Sequence, residues 1–242
     1  MEAKPMTLEN RVVMITGVTG SLGPTAARRF AECGANLVLV GSSAEKLDAL
    51  GQMLALPKER WLAVAAVLSQ PDAARKVLDA SLEKFGRVDI LLHLVGGHIG
   101  GKPVPQVTEE EVSKMLQQHL WTTFHLAQAV VPHMTANGWG RVIVISSPSA
   151  GAPPANNLPY SIGKTAEETL MVTLAEELKG TGVTANILRV RMIDTNHERD
   201  REKSPNKISW TSPDEICASL LYLCSEEAGT VNGARIPLYG SP

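Results

Sequence analysis

The sequence predicts an α/β domain built on a doubly wound parallel sheet of seven strands with helices on both faces. Three observations carry that expectation. Short apolar runs of strand length alternate with longer stretches of helical spacing from one end of the chain to the other. The first apolar run, residues 11–16, passes straight into a glycine-rich turn, Gly17-Val18-Thr19-Gly20-Ser21-Leu22-Gly23, and then into a helical stretch over 24–34. With 242 residues, 44% of them hydrophobic and 20% charged, the chain can form one sizeable core, and a single domain over 1–242 is expected.

The strand, glycine turn and helix at the start form a phosphate-binding pattern. Glycines let the backbone approach a ligand closely, and the helix N-terminus attracts a pyrophosphate. Pro24 suits a first helical turn, where its missing N–H costs nothing. Gly34 suits the residue after a helix end. A second strand is predicted over 36–40, a turn at Gly41-Ser42-Ser43, a helix over 44–56 and a third strand over 61–68. Ala74, Val77, Leu78, Leu82 and Phe85 repeat at helical spacing, so a helix over 71–85 stops at Gly86. The fourth strand covers 89–95 and ends in Gly96-Gly97; a long helix follows over 109–137. The fifth strand, 141–145, leads to a helix running to about residue 179, and the sixth strand is 183–190. A polar loop over 196–211 precedes a helix opened by Ser212-Pro213-Asp214-Glu215, and residues 234–239 close the sheet. Parallel strands joined by helical crossovers require both sheet faces to be covered.

Several function classes fall away on composition. Net charge is −2 with no basic block, so no nucleic-acid partner is expected. No apolar run reaches the length of a membrane span and Met1-Glu2-Ala3-Lys4-Pro5 does not read as a signal peptide, so a cytoplasmic location is expected. Cys217 and Cys224 lie about 10 Å apart along a helix, too far to bridge, and core packing is expected for them and for Cys33. The six histidines show no ligand spacing, and no metal site is expected.

The chemistry gathers at Ser147, Tyr160 and Lys164. Four residues apart on a helix, Tyr160 and Lys164 project from one face. Ser147 stands just past the fifth strand, at the sheet edge where open α/β sheets place ligands. A free phenol is a poor acid or base at neutral pH, and a nearby ammonium favours its phenolate form. A serine hydroxyl beside it can hold a carbonyl or alkoxide oxygen while hydride moves at the adjacent carbon. An exposed tyrosine and lysine on an ordinary helix would share the same spacing.

With these residues assembled, the chain resembles the classical short-chain dehydrogenase/reductase family over nearly its whole length, and 3-oxoacyl-ACP reductase-like members in particular. The match rests on Thr16-Gly17…Gly23, Asp89-Ile90-Leu91, the Ser147/Tyr160/Lys164 trio, Asn186, Thr195 and Pro213-Asp214-Glu215-Ile216 in that order. The resemblance implies a Rossmann-like fold and an NAD(P)-dependent oxidoreductase that interconverts a ketone and a secondary alcohol. It makes Tyr160 the acid/base, Ser147 the holder of the substrate oxygen, and Lys164 the group that tunes the tyrosine and binds the nicotinamide ribose. Cofactor contacts are implied for Gly17, Thr19, Ser21, Leu22 and Gly23, for Gly41 and Ser42, for Val67 and Leu68, for Val95 and Gly96, and for Ile193 and Thr195. A homotetramer or dimer is implied as well, through the helices over 109–137 and 160–179, with Trp121, Phe124, Leu170 and Met171 as apolar candidates for the interface.

The departures from the family pattern matter equally. Ser21 takes the place of the middle glycine, and Val67 that of the acid that meets adenine. His93-Leu94-Val95-Gly96 replaces the amide-bearing run after the fourth strand and is expected to lose two bracing amides. His119 takes the position of the family's fourth catalytic residue, an asparagine that anchors a water leading to the lysine. A histidine there is either a relay titrating near neutral pH or a satisfied structural residue. Val190-Arg191 replaces a proline-glycine pair, which is expected to reshape the loop. Arg191, with Arg189 or His98, either faces an anionic substrate or is an exposed arginine over the cleft. The second strand ends in Gly41-Ser42-Ser43 without an acid for a ribose diol, so NADP is expected, with NAD as the alternative. The polar loop over 196–211 argues against a long acyl chain or a steroid as substrate. The drift at four site positions leaves a second reading, a nucleotide-binding sensor or scaffold without turnover.

Overall fold

The computed structural model describes residues 6–202, 204–205 and 207–239. Residues 1–5, on which the signal-peptide expectation rests, lie outside the described residues. Seven strands form one sheet: β1 Val12–Thr16, β2 Asn36–Gly41, β3 Trp61–Ala65, β4 Ile90–His93, β5 Gly140–Ser146, β6 Val183–Val190 and β7 Arg235–Leu238. Their order is β3-β2-β1-β4-β5-β6-β7, and every pairing is parallel. The helices are α1 Gly23–Glu32, α2 Ala44–Met53, α3 Ala73–Phe85, α4 Glu109–Leu116, α5 Thr122–Ala136, α6 Leu158–Glu177, α7 Glu198–Arg201 and α8 Pro213–Leu223.

The central strands β1 and β4 are buried along their full length, as apolar runs without alternation require when both faces are covered. Successive side chains of β1 feed two separate cores. Val13 and Ile15 pack with Phe30, Leu37, Ile216 and Leu220 on the face covered by α1 and α8. Val12 and Met14 pack with Val77, Leu126, Val130 and Met171 on the face covered by α3, α5 and α6. The strand order reverses between β1 and β4, and the two segments leaving those strands border a crevice at the C-terminal edge of the sheet.

The caps follow the sequence. Thr108 and Glu111 form a capping box at the start of α4, and Ser212 and Glu215 form another at the start of α8. The predicted boundaries differ at loop-facing ends. β3 stops at Ala65 and β4 at His93, because the chain past each strand turns away to line the crevice. α2 stops at Met53 and α3 begins at Ala73. The long fourth helix is not a continuous α-helix: residues Gln117–Trp121 form a π turn between α4 and α5. The polar loop contains the short helix α7, held because Asp194 accepts hydrogen bonds from the backbone N–H groups of Glu198 and Arg199.

All three cysteines are free thiols; Cys217 and Cys224 are buried, whereas Cys33 is half-buried at the end of α1. Met171 is fully buried in the core and cannot contribute to a subunit surface, which corrects its place among the interface candidates. Trp121 and Phe124 are exposed and pack edge to face on each other, with ring centroids 5.8 Å apart.

Candidate active site

The glycine turn is shaped by contact with the segment after β4. Gly17 has φ +69°, and a Cβ there would lie 2.8 Å from the backbone nitrogen of Val95 and 2.9 Å from the carbonyl oxygen of Leu94. Only glycine fits that approach. Gly23 opens α1 against Val18, whose carbonyl oxygen would lie 2.0 Å from an added Cβ. Leu22 caps α1 without a side-chain hydrogen bond, so the first N–H groups of this helix are left for a ligand.

Two cavities, of about 590 and 640 Å³, share Gly20 and the Leu94–Gly96 segment. The first is lined by Gly17, Thr19, Gly41, Ser42, Val67 and Leu68, and the second by Ser21, Leu22, Ser147, Tyr160, Lys164 and Ile193. Val95 and Gly96 border both. Gly23 is buried beneath the turn, and Thr195 is exposed outside both cavities; neither lines the crevice. No Asp or Glu lines either cavity among the described residues, while Lys114, Lys164 and Arg191 do. A glycine cradle, a free helix N-terminus and a lining that carries Lys and Arg but, among the described residues, no acid fit a nicotinamide dinucleotide with its pyrophosphate.

Ser147 follows β5 and caps a single 3₁₀ turn, Pro148–Ala150, by accepting a hydrogen bond from the Ser149 N–H at 3.2 Å. That bond leaves its own hydroxyl hydrogen to be donated elsewhere. Tyr160 and Lys164 lie one turn apart on α6. The Lys164 ammonium is buried and donates to the Ile145 carbonyl at 2.7 Å and to Glu167 Oε2 at 2.7 Å. The Tyr160 ring stands between two imidazoles, His98 at 4.9 Å and His119 at 5.5 Å between centroids. His98 Nε2 donates to Asn157 Oδ1 at 2.7 Å, and the Asn157 amide donates to the Ser149 hydroxyl at 3.3 Å. Gly163 allows this packing. A Cβ there would lie 2.9 Å from both His119 Cδ2 and the Met115 carbonyl oxygen, so α6 can sit directly on the end of α4.

His93 supplies a brace of its own where the family's amides are missing. Its Nδ1 lies 2.6 Å from Thr16 Oγ1, and its Nε2 lies 3.1 Å from Thr122 Oγ1. Thr122 spends its hydroxyl hydrogen on the Gln118 carbonyl at 2.6 Å. The ring must therefore donate from Nε2 and accept from Thr16 at Nδ1. One neutral imidazole thus bridges β1 and α5, and burial, aided by the Lys164 charge, pushes its pKa down to about 3.

His119 is likewise buried. Its Nε2 donates to the Gly97 carbonyl at 3.1 Å, and its Nδ1 has no hydrogen-bond partner in the protein. Burial first, and then the Lys164 charge, lower its pKa to about 3. It is neutral at physiological pH, which corrects the expectation of a relay titrating near neutrality. The imidazole sits behind Tyr160 and lines neither cavity.

Arg189 does not face the crevice freely. Its guanidinium is held by the buried Glu168, with Nε 2.8 Å from Oε1, and Arg235 and the Ser146 hydroxyl bind the same carboxylate. Arg191 does line the second cavity, against the Tyr239 ring and without an acidic partner among the described residues. It has no positive φ, so the loop needs no glycine here. Two buried acids, Glu167 and Glu168, were missed by the sequence reading. The signal was present: positions 160, 164, 167, 168 and 171 follow helical spacing and fall on the inward face of α6.

Comparison with known proteins agrees with this fold. The sequence profile of the short chain dehydrogenase family matches residues 11–206. The subunit BbsD of (2S)-[(R)-hydroxy(phenyl)methyl]succinyl-CoA dehydrogenase from Thauera aromatica is 31% identical, over 97% of this chain and 97% of its own. Meso-2,3-butanediol dehydrogenase of Serratia marcescens is 29% identical over 97% of this chain and 95% of its own. Among solved structures, 3-ketoacyl-(acyl-carrier-protein) reductase from Brucella melitensis complexed with NADH superposes with a TM-score of 0.86 at 26% identity, covering 96% of this chain and 98% of that one. Levodione reductase gives the same score and identity, covering 96% of this chain and 97% of that one.

Proposed function

The chain belongs to the short-chain dehydrogenase/reductase family, an NAD(P)-dependent oxidoreductase acting on CH–OH and C=O groups, and from that premise we propose that Tyr160, Ser147 and Lys164 perform its chemistry. The observation that carries this reading is their convergence on one cavity continuous with the glycine turn. A nicotinamide cofactor held by the glycine turn and the Leu94–Gly96 segment would supply or accept the hydride. In the reducing direction Ser147 donates its free hydroxyl hydrogen to the substrate carbonyl oxygen and orients it. The Tyr160 O–H bond breaks and its proton goes to the same oxygen, leaving a phenolate. Lys164, fixed by Ile145 and Glu167, presents its remaining N–H to the cavity and stabilises that phenolate. His119 supports the Tyr160 ring from behind as a neutral imidazole. Nothing in this site favours the reading without turnover.

The same cavities support a cofactor preference. β2 ends in Gly41-Ser42 with no carboxylate to pair with ribose hydroxyls, and Thr19 and Ser42 offer hydroxyls; NADP is the preferred cofactor in this reading. Val67, 56% exposed, and the buried Leu68 offer apolar contact to an adenine. Arg191 gives the substrate cavity an unneutralised cation and favours a carbonyl compound bearing an anionic group. Exposed Trp121 and Phe124 support a homo-oligomer formed through the α4–α5 and α6 helices. No described helix is long and apolar enough to cross a membrane. The free thiols suit a reducing compartment, in keeping with the cytoplasm.

Titration of the purified protein with NADPH and with NADH, followed by tryptophan fluorescence, tests the reading. Saturable binding with NADPH the tighter ligand is expected. Absence of binding by either at millimolar concentration would remove the cofactor site and the activity with it.

A further inference from the structure

Glu167 is a fully buried carboxylate that, among the described residues, has one charged hydrogen-bond partner, the lysine of the catalytic trio. Thr123 lies 3.3 Å from Oε1, but its single hydroxyl hydrogen is spent on the His119 carbonyl at 2.6 Å. Lys164 therefore supplies the main compensation for burying this acid. Burial raises the Glu167 pKa, and Lys164 opposes that rise. The ammonium in turn has two of its three hydrogens fixed, one on Ile145 O and one on Glu167 Oε2.

We propose that Glu167 is a positioning residue acting through Lys164: its carboxylate aims the ammonium at the cavity and balances the charge, so that Tyr160 gives and takes its proton at a higher pH than an unbalanced lysine would impose. The inference rests on the assignment of Tyr160 as acid/base. The other charged and titratable groups around the pair do not replace Glu167. On α6, Glu168 points to Arg189 and Arg235. From β4 and the π turn, His93 and His119 are neutral above their pKa values of about 3. From the loop after β4, His98 packs on the Tyr160 ring and is bonded to Asn157. From the loop after β6, Arg191 adds a positive charge at the cavity. Glu167 is thus the one carboxylate in contact with Lys164 among the described residues.

The test is an ultraviolet titration of phenolate absorbance near 295 nm, which needs neither cofactor nor substrate. Tyr160→Phe identifies the contribution of Tyr160 against Tyr222 and Tyr239. In Glu167→Gln that contribution should rise at a pH lower by about one unit, because the lysine charge is no longer balanced. Glu167→Asp should restore part of the shift. Lys164→Met and the double variant Lys164→Met/Glu167→Leu, which buries no charge at the pair, should share one midpoint above that of the wild type. An unchanged or higher midpoint in Glu167→Gln, or separate midpoints for the two lysine variants, would overturn the role of Glu167. If Tyr160→Phe removed no titrating phenol distinct from the other two, the assignment of Tyr160 itself would fail instead.

Discussion

Lys164 Nζ lies 2.7 Å from Glu167 Oε2, one turn of α6 apart, and both side chains are almost fully removed from water. Such a pair gains little net stability over apolar residues of the same volume, yet removing one partner strands the other. Glu167→Leu should therefore destabilise the fold by about 3–5 kcal/mol. The double variant Lys164→Met/Glu167→Leu should recover most of that loss. Urea unfolding of the two variants checks the difference, and equal losses in both would contradict it.

His93 and His119 set a second expectation, in the acid range. Each has a folded pKa of about 3 against 6.5 for a free imidazole. Below pH 6.5 the unfolded chain takes up protons that the native protein refuses. The stability these neutral rings contribute is present above pH 6.5 and is lost as pH falls toward 3. The slope is about 1.4 kcal/mol per pH unit for each ring. Unfolding free energies measured from pH 7 to pH 4 should show a shallower decline in His93→Asn than in the wild type.

Gly163 is required by the approach of α6 to His119 and the Met115 carbonyl. Gly163→Ala places a Cβ where backbone must yield, at a cost of about 1–3 kcal/mol. Because the displaced ring is the one behind Tyr160, turnover should fall further than cofactor affinity. A matched loss of both would mean that the glycine serves packing alone.

Ser42 lines the first cavity and Arg191 the second, so variants at the two positions test the two cavities separately. Arg191→Ala should raise KM for carbonyl substrates bearing an anionic group, with kcat and NADPH affinity retained. Ser42→Asp should weaken NADPH at least about tenfold by placing a carboxylate against a 2′-phosphate, an electrostatic cost above 1.4 kcal/mol. Steady-state kinetics and fluorescence titration read the two effects separately.

Much of this was legible in the sequence because local rules and tertiary demands agree. Unbroken apolar runs such as Val142–Val144 read as buried strands and are buried, whereas Gly17 and Gly23, read as room for a ligand, also make close contacts to backbone within the fold. The Tyr160/Lys164 spacing placed both residues in one cavity. What stayed hidden depended on partners distant in sequence. His93 looked like a lost brace because Thr16 and Thr122 meet it only in three dimensions. For His119 the sequence left a titrating relay and a structural residue open, because its burial is set by α6 packing across Gly163. Met171 shows an apolar residue whose face of α6, inward or outward, only the packing decides. Thr195 follows the family motif in sequence, yet it is exposed outside both cavities.

The most direct test of the central claim is a comparison of wild type and Tyr160→Phe, each measured for NADPH binding and for NADPH-dependent reduction of a panel of ketones that includes oxo acids. Tyr160→Phe should bind NADPH as tightly as the wild type and should lose a factor of about 10²–10⁴ in turnover. Wild-type turnover in Tyr160→Phe, on any ketone the wild type reduces, would contradict the assignment of Tyr160 as the acid.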